Sequence, residues 1–286
     1  MSQQGSGGGA QGRPGGVPLA LGQGLRRMSK WQWAIGVVAV AAQAALLHAT
    51  ATSDESEARY EEQLEPYRRD LLARIAQEAS AGASRRKEPL TVVEIGIGDC
   101  ERNMTFYQQA AAGPLKDREV RLVGVDPSTY NAKKLDTRVQ RDKRFDAWPS
   151  NLAFAQELRG AEALPFADSS VDVAVSTLTL CSLHRPMRSV GELHRVLKPG
   201  GVLLFLEHVP DADHRGLAMA VLNPLSVMFR KGCRLDRDTE ALVRGAGFAE
   251  VRVVGEVGAR LPGAVGLVAR VLGLAEVRHK IGVARK

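Results

Sequence analysis

Residues 92–102, Val-Val-Glu-Ile-Gly-Ile-Gly-Asp-Cys-Glu-Arg, place a carboxylate two positions before a Gly-x-Gly turn at the end of a β-branched run. Such an apolar run reads as a buried parallel strand. Glycines just past its carboxyl end let the backbone turn tightly and approach a ligand that side chains would hold off. The chemistry suited to this turn is the cradling of a nucleotide-like group, with Glu94, Gly96 and Gly98 as its candidate contacts. A dinucleotide fingerprint needs a third glycine at 101, where a helix end meets pyrophosphate, but Glu101 stands there. A second apolar run, 121–125, ends in Asp126, a carboxylate able to accept both hydroxyls of a ribose.

Regular elements must bring these groups together. Residues 171–176 read as a further buried strand, with Thr177 at its carboxyl end on the same side as the Gly-x-Gly turn. Residues 192–206 read as a helix, a Pro-Gly-Gly stop and another buried strand, which leads directly into Glu207 and His208. Downstream, 236–245 is expected to be a helix, 250–254 a sixth strand and 280–285 a seventh. Between the last two, 261–277 has the pattern of an amphipathic helix with a basic, membrane-facing side.

The acid at 94 followed by Gly96 and Gly98 resembles the Glu/Asp-x-Gly-x-Gly-x-Gly pattern of class I S-adenosylmethionine (SAM) methyltransferases, with Cys100 in place of the third glycine. Residues 160–172 are similar to the family's segment in which an acid-containing turn lies against adenine. The run Arg195-Val196-Leu197-Lys198-Pro199-Gly200-Gly201 resembles its punctuation before the fifth strand. The resemblance implies an α/β fold: a Rossmann-like, doubly wound, mostly parallel seven-stranded sheet with an antiparallel last strand. It also implies S-adenosyl-L-methionine as cofactor, with Glu94, Gly96, Gly98, Asp126 and Thr177 around it and Ala161 and Glu162 at the adenine edge. Phe106-Tyr107 and the stretches 178–183, 205–209 and 232–235 are similar to a membrane-associated branch whose animal members are thiol S-methyltransferases of the endoplasmic reticulum and lipid droplets. That implies methyl transfer to a small lipophilic acceptor, a thiol among the choices. A quinone, sterol or lipid acceptor, or a catalytically silent fold acting as an interaction module, are the other readings. For such a transfer His208 is the candidate general base, because imidazole titrates near neutrality, with Glu207 as fallback and His184 more distant. The resemblance implies a substrate lid in the apolar insert 211–233, a plain core helix being the other reading.

The chain of 286 residues carries a net charge of +7, distributed unevenly. Arg13, Arg26, Arg27 and Lys30 give residues 1–53 a charge of +4, and residues 270–286 hold another +4, which leaves −1 for the rest. A near-neutral catalytic region lacks the basic face a nucleic-acid partner requires and favours a small-molecule substrate. Cys100, Cys181 and Cys233 are too few and too scattered for a disulfide framework or a zinc ligand set, so no metal is expected and they read as small buried groups.

Residues 1–30 are Gly-, Gln- and Ser-rich and read as a disordered leader. Residues 31–53 are uncharged, and 33–49 form an apolar block at the short end of the roughly 17 to 25 residues that cross a bilayer. Basic Arg26, Arg27 and Lys30 with Trp31 before it, Trp33 at its start, and Asp54, Glu55 and Glu57 after it, fit a membrane-held segment at the endoplasmic reticulum or a lipid droplet. An acid-free leader and Ala49-Thr50-Ala51 also resemble a cleaved signal, either secretory or delivering the chain to a chloroplast or mitochondrion. A buried helix of a soluble domain is the third reading. Residues 54–89 read as a helical linker with Leu64, Tyr67, Leu71, Leu72 and Ile75 on one face and a kink at Pro66, placed either to cover the cofactor cleft or simply to connect. Residues 90–286 then form the methyltransferase domain.

Overall fold

A computed structural model describes residues 53–81, 88–141, 148–210, 217–274 and 276–286. The leader and the apolar block 33–49, with its cleavage alternative, lie outside them. Among the described residues, no helix is long and apolar enough to cross a membrane. The chain runs α1 (Ser53–Ala81), β1 (Leu90–Ile95), α2 (Met104–Ala112), β2 (Val120–Val125), α3 (Thr129–Arg141), β3 (Leu152–Glu157), β4 (Val171–Thr177), α4 (Pro186–Val196), β5 (Leu197–Val209), α5 (Leu217–Phe229), α6 (Thr239–Arg244), β6 (Glu250–Ala259), α7 (Gly263–Val271) and β7 (Val277–Arg285).

The strands form one seven-stranded sheet in the order β3-β2-β1-β4-β5-β7-β6. The first five are parallel, and β7 inserts antiparallel between β5 and β6. This is the expected α/β architecture, down to the antiparallel last strand. Strands β1, β4 and β5 lie inside the sheet and are Val-, Leu- and Ile-rich almost throughout, as strands covered on both faces must be. Strand order reverses between β1 and β4, so the crevice at their carboxyl ends is where an open α/β sheet takes its ligand.

Two elements depart from expectation. Pro199-Gly200-Gly201 lies within β5 and does not precede it. The register with β4 shifts between Val171 and Val173, and the extra residues are held by backbone bonds from Gly200 to the Lys286 carbonyl (2.9 Å) and from Lys286 to the Gly201 carbonyl (3.0 Å). Helix α1 runs unbroken through Pro66 and is part of the domain: residues 49–286 make one compact unit. Its Tyr60, Leu64, Leu71, Leu72 and Ile75 are buried in the same apolar cluster as Val92, Val175 and Leu204, whereas Tyr67 faces outward. Each such buried side chain contributes about 1.5–3 kcal/mol, which makes α1 a major source of stability.

Asn151, ahead of β3, fastens that edge. Its Nδ2 donates to the carbonyls of Ala111 (3.1 Å), Leu115 (2.9 Å) and Arg118 (2.9 Å), closing the turn between α2 and β2. Asn151→Ala is expected to lower unfolding free energy by about 1–2 kcal/mol, measured by urea denaturation, because three part-buried carbonyls lose a shared donor.

Candidate active site

The turn after β1 sets the site's geometry. Gly96, Gly98 and Cys100 have φ of 66°, 63° and 61°, so alternate residues occupy the left-handed region that favours glycine. A Cβ on Gly96 would lie 2.3 Å from Thr179 Oγ1, whereas one on Gly98 would meet no described atom within 4 Å. The first glycine therefore admits the loop after β4, and the second leaves backbone open to a ligand. Cys100 holds the third position at a conformational cost of about 1–2 kcal/mol. Burial, with Glu94, Asp99 and Asp126 nearby, pushes its thiol up, so it is not a reactive group.

Below the turn, the buried Glu94 carboxylate accepts from Asn103 Nδ2 (2.5 Å), Tyr107 Oη (2.9 Å) and Thr177 Oγ1 (3.1 Å). Burial raises its pKa against the pull of these donors. Glu94 and Thr177 thus meet, and the acid joins β1, β4 and α2 and positions the turn. Asp126 reaches the turn directly: its Oδ2 accepts from Gly98 N (3.0 Å) and its Oδ1 from Ser128 N (2.8 Å) and Asn131 Nδ2 (3.3 Å). Ala161 is buried and Glu162 half-buried in the turn between β3 and β4, where Arg188 Nε holds the Glu162 carbonyl (2.9 Å).

Asn103 is a site residue the sequence reading passed over. It stands at the N-cap of α2, a position legible from the apolar helix that follows, yet its side chain makes no cap bond and turns to Glu94. Its buried Oδ1 has no donor among the described residues. Open space at Gly98, an acceptor lacking a donor at Asn103 and a carboxylate at Asp126 fit an adenosyl amino acid, with ammonium for the amide oxygen and ribose hydroxyls for the acid.

Glu207 and His208 sit at the carboxyl end of β5, and both are fully buried. Successive strand residues face opposite sides of a sheet, so the two serve different neighbours. Glu207 accepts from Ser176 Oγ (2.7 Å), Thr179 N (2.9 Å), Leu180 N (3.0 Å) and Cys181 N (3.4 Å). That grip holds the loop after β4, in which Leu178 takes φ of 52° and Thr179 Oγ1 donates to the Ile95 carbonyl over Gly96. Burial raises the Glu207 pKa while these donors oppose it.

His208 differs from the open general base expected of it. Its Nε2 is engaged by the Arg234 carbonyl and its Nδ1 lies 3.5 Å from Cys233 Sγ, so neither ring nitrogen is open to a substrate proton. His184 lies exposed on the loop before α4. The expectation that the cysteines are too scattered to act together fails for two of the three. Cys181, His208 and Cys233, distant in sequence, converge with their donor atoms all within 4.8 Å of one another. Cys181 donating toward Cys233 keeps the Cys233 thiol low and its own high. Burial disfavours charge on His208, but Cys233 and the Arg234 carbonyl outweigh it and raise the imidazole.

Comparison with known proteins agrees with this geometry. The methyltransferase-domain family matches residues 103–205. Thiol S-methyltransferase TMT1B of Rattus norvegicus is 31% identical over 198 residues, 68% of this chain and 73% of that protein. Human thiol S-methyltransferase TMT1A is 28% identical over 68% of this chain and 72% of its own. In fold, the chain is similar to an arsenic(III) S-adenosylmethionine methyltransferase from Chlamydomonas reinhardtii, with a TM-score of 0.51 at 22% identity, covering 72% of this chain and 66% of that one. A Gly-x-Gly elbow at the sheet's switch point, an acid after β2 and these likenesses together make the chain a member of the class I S-adenosylmethionine-dependent methyltransferases, resembling their thiol S-methyltransferase branch.

Proposed function

We propose that the enzyme methylates the sulfur of a small lipophilic thiol. The observation that carries this reading is the state of the groups at the ends of β4 and β5. Glu207 and His208, at the carboxyl end of β5, are buried and already hydrogen-bonded. With Glu207 and His208 so engaged among the described residues, the site suits an acceptor that ionises by itself near neutrality, and a thiol, with pKa about 8.5, does so where an alcohol does not. The sequence likeness to thiol S-methyltransferases supports the same acceptor.

Bound at the elbow, S-adenosylmethionine supplies a methyl group already activated on a sulfonium. The chain's part is to hold and exclude. Gly98 permits the close backbone approach, Asp126 accepts hydroxyls, and Asn103 Oδ1 accepts a donor. The Glu207-held loop fixes where an acceptor atom stops, and alignment of reacting atoms is worth several kcal/mol in such a transfer.

Incubating the full chain with methyl-labelled SAM and a panel of aliphatic thiols, quinols, sterols and phospholipids is expected to label the thiols as thioethers. Label confined to the other acceptors overturns the thiol reading. In calorimetric titration with S-adenosylhomocysteine, Asp126→Ala is expected to weaken binding at least ~10-fold, the loss of about 1.5–3 kcal/mol in hydrogen bonds to a charged group.

Residues 33–49 are proposed to hold the enzyme at a membrane of the endoplasmic reticulum or a lipid droplet, delivery to a chloroplast or mitochondrion being the alternative. Support comes from the basic and aromatic flanks of that block and from exposed Val227, Met228, Leu267 and Val271 on α5 and α7, two helices that pack on each other.

A further inference from the structure

We propose that Cys181, His208 and Cys233 bind a zinc ion whose fourth coordination position takes the sulfur of the acceptor. This deepens the function proposed above and rests on it for the identity of the fourth ligand, but not for the three protein ligands.

The donor set is already arranged. Cys181 Sγ, Cys233 Sγ and a His208 ring nitrogen lie within 4.8 Å of one another, and all three residues are buried. The Arg234 carbonyl engages His208 Nε2, which directs Nδ1 toward the sulfurs. Metal-binding imidazoles are oriented in this way, one ring nitrogen on a carbonyl and the other on the ion. Zinc bonds of about 2.3 Å to sulfur and about 2.0–2.1 Å to nitrogen, at tetrahedral angles, put S and N about 3.5 Å apart. Cys233 Sγ and His208 Nδ1 are separated by 3.5 Å.

Each ligand is fixed by rigid surroundings. His208 belongs to β5, and Cys181 sits in the loop gripped by Glu207. Arg237 Nη1 holds the carbonyls of Leu180, Cys181 and Leu183 at 2.7 Å each, and Arg234 N donates to the Cys181 carbonyl (3.2 Å), tying the two cysteine segments together. Behind them, Tyr60 of α1 bonds His279 (2.6 Å), whose ring stands edge-on to His208.

Charge favours a divalent ion with two thiolates. Together with a neutral imidazole they sum to zero, so the ion is buried without net charge. A third thiolate from an acceptor would bring −1, and Arg230 stands ready for it. This guanidinium lies over the Tyr60 ring, is buried, and has Nε and Nη1 without a hydrogen-bond acceptor among the described residues, Nε being 3.6 Å from Glu57. Thiolate and imidazole donors select zinc over magnesium or calcium, and three protein ligands leave one tetrahedral position open, the pattern of catalytic zinc. Cys181 is two residues from Thr179, whose side chain packs on Gly96, so the site is one short loop from the cofactor elbow.

The step balances without further reagents. The acceptor thiol loses its proton to solvent on binding zinc, and its sulfur forms a bond to the methyl carbon. The bond from that carbon to the sulfonium breaks, and its electron pair leaves the departing sulfur neutral.

Full-length protein purified without chelators is expected to carry about one zinc per chain by atomic emission. Replacement with cobalt(II) should give thiolate-to-cobalt charge-transfer absorption that an added aliphatic thiol shifts and the corresponding alcohol does not. The Cys181→Ser/Cys233→Ser double variant should lose both metal and band. Because buried substitutions can prevent folding, the wild-type chain carries the decisive test: removal of zinc by a chelator should cut thiol methylation at least ~10-fold, with recovery on adding zinc. Thiol methylation by zinc-free wild-type protein, unaffected by chelator, overturns the site and leaves the proposed function standing. Zinc present with no thiol methylated overturns that function and the fourth-ligand role together.

Discussion

Glu207→Leu is expected to lower the unfolding free energy by about 3–5 kcal/mol, the usual cost of removing one partner from a buried charged network. The carboxylate it removes accepts from Ser176 Oγ and from the backbone of Thr179, Leu180 and Cys181 in a site without water access. Leucine fills the volume but leaves those donors unsatisfied. At roughly 2–4 °C per kcal/mol for a domain of this size, the melting temperature should fall by about 6–20 °C. Activity should be lost even below the new melting temperature, because Leu178 at φ of 52° is held in place by the same grip. A wild-type melting temperature in this variant would show that the loop needs no such clamp.

Gly98→Ala is expected to do the opposite: little to stability and much to cofactor binding. The added methyl meets no neighbour, so only the left-handed backbone resists it, at about 1–2 kcal/mol, offset in part by a stiffer unfolded chain. The same methyl fills the space by which the backbone approaches a ligand, and affinity for S-adenosylhomocysteine should drop at least ~10-fold. Gly96→Ala provides the contrast, since its methyl would overlap Thr179 Oγ1 at 2.3 Å and add overpacking of about 1–3 kcal/mol to the same backbone cost. Paired calorimetry and thermal melts of the two variants separate a ligand cradle from a packing contact. Unchanged affinity in Gly98→Ala would remove the elbow from the cofactor site.

Much of the sheet was readable because β1 and β4 are β-branched runs and β5 holds a Leu-rich apolar run, and the acids at 94 and 126 stand at strand ends where topology gives them a shared crevice. Strand β3 was not, because an edge strand with half-exposed side chains, Leu-Ala-Phe-Ala-Gln-Glu, lacks a strong pattern. The Pro-Gly-Gly of β5 reads as a stop in one dimension, and only pairing with Lys286 at the far end of the chain makes it strand. Helix α1 showed an apolar face without showing what would cover it. Strand alternation did carry a signal that two adjacent residues, Glu207 and His208, could not face one site. The convergence of Cys181, His208 and Cys233 had no local signature, since turns at positive φ through Lys231 and Gly232 deliver the last of them.

The burial of α1 also sets a limit on maturation. A peptidase acting after Ala51 would leave this helix whole, whereas cleavage a few turns further on would strip Tyr60 and Leu64 from the interior and abandon His279 without its phenol. Whatever is trimmed from this polypeptide in the cell, a functional amino terminus must precede Tyr60, whose hydroxyl bonds His279.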